Sequence, residues 1–153
     1  MSEANQEMAK AMYKTVCTAL DSMKLGYREF EEDMVVVLSH KGEDMNHDLM
    51  IAVDGDRQVI KVLEKLPFEM NPEKAVDIAC AVCYANHYLV LGKFTYDMDK
   101  TLRFEIAQAY EGSLISIETI KHMVVAFVAT VEEYDDKFMA LNKGYLSYKD
   151  FAD

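Results

Sequence analysis

Hydrophobic and polar positions along this chain change period several times, and each change predicts an element. Met8, Met12, Val16, Leu20 and Met23 recur at three- and four-residue spacing, which predicts a helix from about Glu7 to Lys24, closed by Gly26. Tyr27 to Glu32 reads as a short extended stub. Met34 to Ser39 is a continuous apolar run rich in β-branched residues, hence a strand, and its two apolar faces place it centrally in a sheet. The polar turn Lys41-Gly42-Glu43-Asp44 leads to a strand over Asp48 to Val53. Asp54-Gly55-Asp56 is a hairpin turn, in which glycine accepts the positive φ that tight hairpins demand, and Gln58 to Leu66 completes a meander.

The stretch from Asn71 to Leu141 constrains the fold most. Asn71-Pro72-Glu73 reads as an N-cap, a proline in the first helical position and an acid in the first turn. The helix that follows carries Val76, Ala79, Cys80, Cys83 and His87 on one face, expected to point into the core. Leu89 to Tyr96 and Leu102 to Tyr110 read as strands joined by Asp97-Met98-Asp99-Lys100, with Leu102, Phe104 and Ile106 alternating against Arg103 and Glu105. Ser116 caps a last helix whose stripe runs Ile117, Ile120, Val124, Phe127, Val131, Tyr134, Phe138 and Leu141, closed by Gly144. Met123, Val125 and Val128 widen that stripe, which suits a helix lying on a sheet better than a coiled-coil seam. The resulting order is α-β-β-β-α-β-β-α, an α+β fold with an antiparallel sheet and helices against it. Residues 1–144 form one domain in this reading. The tail, 145–153, keeps Tyr145, Tyr148 and Phe151 and either docks back or meets a partner.

Composition narrows the function classes. A chain of 153 residues can bury a proper core as one domain. A hydrophobic content of 51% fits a globular protein, and no apolar run approaches the about 20 residues of a membrane span. The opening Met1-Ser2-Glu3-Ala4-Asn5 has neither the basic nor the apolar region of a secretory signal, so a cytoplasmic location is expected. Three cysteines give no disulfide framework and agree with a reducing compartment. A net charge of −11 argues against nucleic acid and anionic membranes and suits a basic or amphipathic partner. The 11 methionines are flexible apolar contacts; Met34, Met50 and Met123 read as core. Met8, Met12, Leu20 and Met23 are the expected surface for a protein or peptide partner, with core burial as the competing reading.

Candidate chemistry is thin. Cys80, Cys83 and His87 lie at i, i+3 and i+7 and could share a zinc ion, but no second ligand pair follows and unpaired cysteines are usually buried core residues. The turns at Asp54 and Asp97 fail as calcium loops: the positions that need glycine and glutamate hold Val59 and Lys65 in one, and Leu102 and Gln108 in the other. His40 and His47 flank a turn with Glu43, Asp44 and Asp48 nearby, read as a solvated loop, with a loosely held metal as the alternative. Glu31-Glu32-Asp33 and Glu132-Glu133 with Asp135-Asp136 read as solvated acidic faces. No nucleophile-elbow sequence and no phosphate-cradling glycine loop is present, so neither an enzyme nor a cofactor is expected.

Leu66-Pro67, Asn71-Pro72, Asn86 and Leu91-Gly92-Lys93-Phe94, followed by Leu102-Arg103-Phe104 and the helix from Ser116 to Leu141, resemble the pattern of the YbjN family. That family's fold is similar to the class I type III secretion chaperones. The resemblance spans about Glu29 to Leu141 and departs at Tyr84-Ala85, where relatives often carry another asparagine. It implies a small cytoplasmic bacterial protein, a homodimer, without established catalysis; the chaperone side implies apolar patches that hold an unfolded effector segment. The expectation is a non-enzymatic protein- or peptide-binding domain. The alternatives are a small-ligand or metal-responsive regulator using Cys80, Cys83 and His87, or a self-associating structural dimer.

Overall fold

The structure, a computed structural model, describes residues 2–97 and 99–151, so Met98 in the expected second hairpin turn lies outside the described residues. Helix α1 (Glu3–Ser22) starts where the Ser2 hydroxyl accepts the Asn5 N–H at 3.2 Å. After it come β1 (Arg28–Phe30), β2 (Val35–Lys41), β3 (Asn46–Asp54), β4 (Val59–Lys65), α2 (Ala75–Tyr88), β5 (Lys93–Tyr96), β6 (Leu102–Ala109), α3 (Ile117–Asn142) and the one-turn α4 (Tyr148–Phe151). All strands pair antiparallel in one sheet of order β1-β2-β3-β4-β6-β5. The expected α+β architecture is present; the stub expected at Tyr27 to Glu32 pairs into the sheet as β1, and α4 is a short addition to the expected order.

Alternation decides which side of the sheet is core. Val36 and Leu38, Leu49, Ile51 and Val53, Ile60 and Val62, and Leu102, Phe104 and Ile106 are all buried, joined by the inner faces of α1 and α3. Their neighbours in sequence, among them Val35, Val37, Met50 and Leu63, are only half-buried. The two apolar faces of the Met34–Ser39 run therefore have another cause than a central position. β2 is second from the edge, beside a three-residue β1, and Val35 and Val37 on its outer face stay half-buried, on the side of the sheet away from the core.

An aromatic nucleus holds the far end together. Phe94 lies 4.7 Å from Phe104 and 5.0 Å from Phe138, ring centre to ring centre, and Phe151 lies 4.8 Å from Phe138. Phe151 is fully buried and docks the tail, while Tyr145 stays 83% exposed. Among the described residues, no helix is long and apolar enough to cross a membrane.

The motif residues are structural fasteners. The Asn86 side-chain amide donates to the Phe94 carbonyl at 2.9 Å and its oxygen accepts the Phe94 N–H at 2.7 Å, tying the end of α2 to edge strand β5. Gly92 sits at φ +80°, and a Cβ there would fall 2.7 Å from the Glu105 carbonyl oxygen, so only glycine fits so close to β6. The Asn71 side chain accepts the Glu73 N–H at 3.0 Å at the start of the 3-10 turn that leads into α2.

Candidate partner-binding surfaces

Helix α2 is turned opposite to the expectation. Its buried residues are Ile78, Ala81 and Ala85. At about 100° per residue, Val76, Cys80, Cys83 and His87 fall on the far side of the helix. Cys80, Cys83 and His87 are exposed, and Val76 is 75% exposed. The reason is local: Asn86 must face Phe94 to make its two hydrogen bonds, which fixes the helix rotation. Ala75, Val76, Ala79, Cys80 and Cys83 form a shallow, almost wholly apolar depression open to solvent. Just past the helix, Val90 is 94% and Leu91 41% exposed. The two thiols and His87 lie along this strip without converging.

Helix α1 shows the reverse correction. Met12 and Leu20 have no exposed surface, and the Met12 sulfur accepts the Ile115 N–H at 3.3 Å. Residues sealed in the core cannot touch a partner, so of the four expected contact residues only Met8 and Met23 keep surface, both half-buried against the core. Met23 borders an apolar groove between the end of α1 and α3, floored by Leu38 and Leu49 and rimmed by Leu25, Val125 and Val128. Val125 is 57% exposed there. On the other flank of α1, the Tyr13 hydroxyl donates to Glu29 at 3.2 Å, and burial pushes both the Tyr13 phenol and the Cys17 thiol up.

The outer sheet face is a third apolar surface. Val37 pairs with Met50, which pairs with Leu63, so three apolar side chains stand in a row across β2, β3 and β4. Phe30, opposite Val35 on β1, is 46% exposed and extends that patch to the sheet edge. A Lys93–Glu105 ion pair at 3.1 Å closes the row on the other side.

The turn histidines are not a solvated loop. His47 is 1% exposed. Its Nδ1 meets Glu64 Oε1, and its Nε2 lies 3.1 Å from Asp135 Oδ2 on α3. Glu64 is 1% and Asp135 5% exposed, so Asp135 also departs from its expected place on a solvated acidic face. His40, the register partner of His47, stacks on its ring at 4.9 Å. Burial pushes the Glu64 carboxyl up and the His40 imidazole down. Among the described residues, His40, His47 and Glu64 are the group whose donor atoms come within metal-sharing reach, and Cys80, Cys83 and His87 are not. Glu64 went unread in the sequence, although it continues the buried parity of Ile60 and Val62.

The family model of YbjN, described as "Putative bacterial sensory transduction regulator", matches residues 13–140. Solved structures that share the fold include the following three. YbjN from E. coli superposes with a TM-score of 0.61 at 13% identity, covering 82% of this chain and 92% of that one. The ExsC-ExsE complex gives 0.58 at 7% identity over 81% of this chain and 90% of that one. The HopA1-SchA chaperone-effector complex gives 0.59 at 13% identity over 84% and 97%. No curated protein matches the sequence.

Proposed function

The chain belongs to the YbjN family, and from that premise we propose that it is a non-enzymatic, cytoplasmic protein-binding domain that acts as a homodimer. The observation that carries this reading is the outward apolar strip of α2, with Val76 75% exposed on a chain of net charge −11. A contiguous apolar patch on a charged protein marks an interface. Ala79, Cys80 and Cys83 are small, so the strip is flat and uncharged, which favours close antiparallel approach of the same helix from a second copy across a two-fold axis.

The partner segment is placed elsewhere in this reading. Two of the structures that share the fold are complexes with another protein, one of them a chaperone with its effector. The groove bordered by Met23, Leu25 and Val125 and the Val37–Met50–Leu63 row are the apolar surfaces left for a peptide once α2 is paired. Met8 and Met23 are the first-helix residues retained as contacts.

Native mass spectrometry of untagged protein tests the dimer directly. The wild type is expected as a dimer, and Val76→Asp as a folded monomer. A wild type that stays monomeric at all attainable concentrations overturns the self-association, and a Val76→Asp dimer moves the interface away from α2.

A further inference from the structure

We propose that His40, His47 and Glu64 form a binding site for a divalent transition metal of the zinc type, with Asp135 holding His47 in the liganding orientation. Three strands bring the donors together: His40 on β2 and His47 on β3 are register partners, and Glu64 stands on β4 beside them. One donor atom from each lies within 4.8 Å of the other two. Two imidazole nitrogens and a carboxylate, with a fourth position left open, are a donor set that zinc favours over calcium or magnesium.

Two buried polar atoms point to a missing ligand. Glu64 Oε2 and His40 Nε2 have no hydrogen-bond partner, and the Glu64 side chain is wholly enclosed. A buried carboxylate oxygen left bare is costly in a finished core and is what a liganding oxygen looks like without its ion. The surroundings match a metal site in a second respect. His47 Nε2 lies 3.1 Å from Asp135 Oδ2, the outer carboxylate that metal-binding histidines commonly use to fix their tautomer. Donation from Nε2 to Asp135 leaves the Nδ1 lone pair directed at Glu64, where the ion would sit. The position of the ring is itself guarded, because a Cβ at Gly42 would fall 3.1 Å from His47 Cδ2.

Binding is an exchange. The hydrogen bond between His47 Nδ1 and Glu64 breaks, the proton of the Glu64 carboxyl leaves to solvent, and the metal takes its place. His40 is the ligand that moves: its ring lies 14° from parallel with that of His47, and two parallel rings cannot aim their lone pairs at one ion. Half-exposed, His40 can turn out of the stack to close the site. Beside it, Glu43, Asp44, Glu132, Glu133 and Asp136 line an acidic cleft that reaches Asp135 and would draw cations toward the cluster.

The test uses full-length protein without a histidine tag, stripped with chelator and titrated with zinc chloride by calorimetry. One ion per chain is expected. His40→Ala, at a half-exposed position, is expected to weaken binding at least about tenfold, and Asp135→Asn by about 10- to 100-fold. Cys80→Ser with Cys83→Ser is expected to leave affinity unchanged. Cobalt bound at the site should show ligand-field absorption without thiolate charge transfer. Absence of saturable binding at one ion per chain overturns the proposal and leaves a purely structural His47–Glu64–Asp135 triad. Zinc binding that survives His40→Ala but fails in the cysteine variant overturns it equally.

Discussion

Helices α1 and α2 lie on the same protein and invert each other. α1 carries an apolar stripe that looks fit for a partner, and its Met12 and Leu20 are sealed in the core. α2 carries an apolar stripe that looks fit for the core, and its Val76, Cys80 and Cys83 face solvent. The difference lies in their polar residues. Exposed Glu7, Lys10, Lys14 and Asp21 mark the wet side of α1 and so fix where its apolar side must go. Between Ala75 and Ala85, α2 has Asp77 as its one charged residue, so its apolar surface runs nearly all round. The protomer buries one side of it, at Ile78, Ala81 and Ala85, and the proposed dimer would cover the other.

The sharpest way to break this contrast is to truncate one stripe on each helix. Leu20→Ala is expected to cost about 2–5 kcal/mol of stability, as a large-to-small change in a closed core. Val76→Ala is expected to stay within about 0.5 kcal/mol on dilute protein, as at an ordinary surface position. Urea denaturation midpoints of the two variants decide the matter, and equal losses would mean that α2 is buried in the protomer after all.

A smaller effect tests what sets the rotation of α2. Asn86→Ala removes both hydrogen bonds to Phe94 and leaves two partly buried backbone groups without these partners, for an expected loss of about 1–3 kcal/mol. Gly92→Ala should lose a similar about 1–3 kcal/mol, since it adds a Cβ at a positive φ against the Glu105 carbonyl. If Asn86→Ala were neutral in a denaturation series, the orientation of α2 would have to come from Ile78, Ala81 and Ala85 alone.

Smaller still is the stability change expected from Val76→Asp: within about 0.5 kcal/mol, while the dimer dissociation constant rises at least about tenfold, equivalent to about 1.4 kcal/mol. Sedimentation over a concentration series separates the two quantities. A variant that unfolds instead of dissociating would put α2 on the same footing as α1.

Much of this architecture was legible in local pattern, and the failures have physical causes. At α3 the boundaries followed from Ser116 and Gly144, because caps are local chemistry. α1 instead runs from Glu3 to Ser22, with Lys24 and not Gly26 in the left-handed conformation, and Asn71 caps the 3-10 turn ahead of α2. The strands followed from parity. His47 keeps step with Leu49, Ile51 and Val53, and Glu64 with Ile60 and Val62, yet neither was read inward: His47 lies one residue before the expected strand, in the stretch expected as a solvated loop, and Glu64 was passed over. What parity cannot say is which strands are neighbours: β4 and β6 pair across the whole of α2 and β5, and Asp135 reaches His47 from 88 residues away. The phase of α2 was illegible for a different reason, since it is set by Asn86 and Phe94 across a turn and not by periodicity.

The three cysteines offer the finest measure of the same contrast, because one sits on α1 and two on α2. Cys17 is half-buried beside Tyr13 and Glu29, and burial pushes its thiol up, so its thiolate fraction at neutral pH is below that of an ordinary cysteine. Cys80 and Cys83 are exposed in the protomer and covered in the proposed dimer. Maleimide labelling followed by peptide mass spectrometry should therefore give two patterns. In the Val76→Asp monomer, Cys80 and Cys83 label readily, while Cys17 lags and gains rate as pH is raised. In the wild-type dimer all three are slow, and dilution releases Cys80 and Cys83 alone. Fast labelling of Cys80 and Cys83 in a confirmed wild-type dimer would break the pairing of α2 with α2 while leaving the buried stripe of α1 untouched, so the two halves of the contrast fail independently.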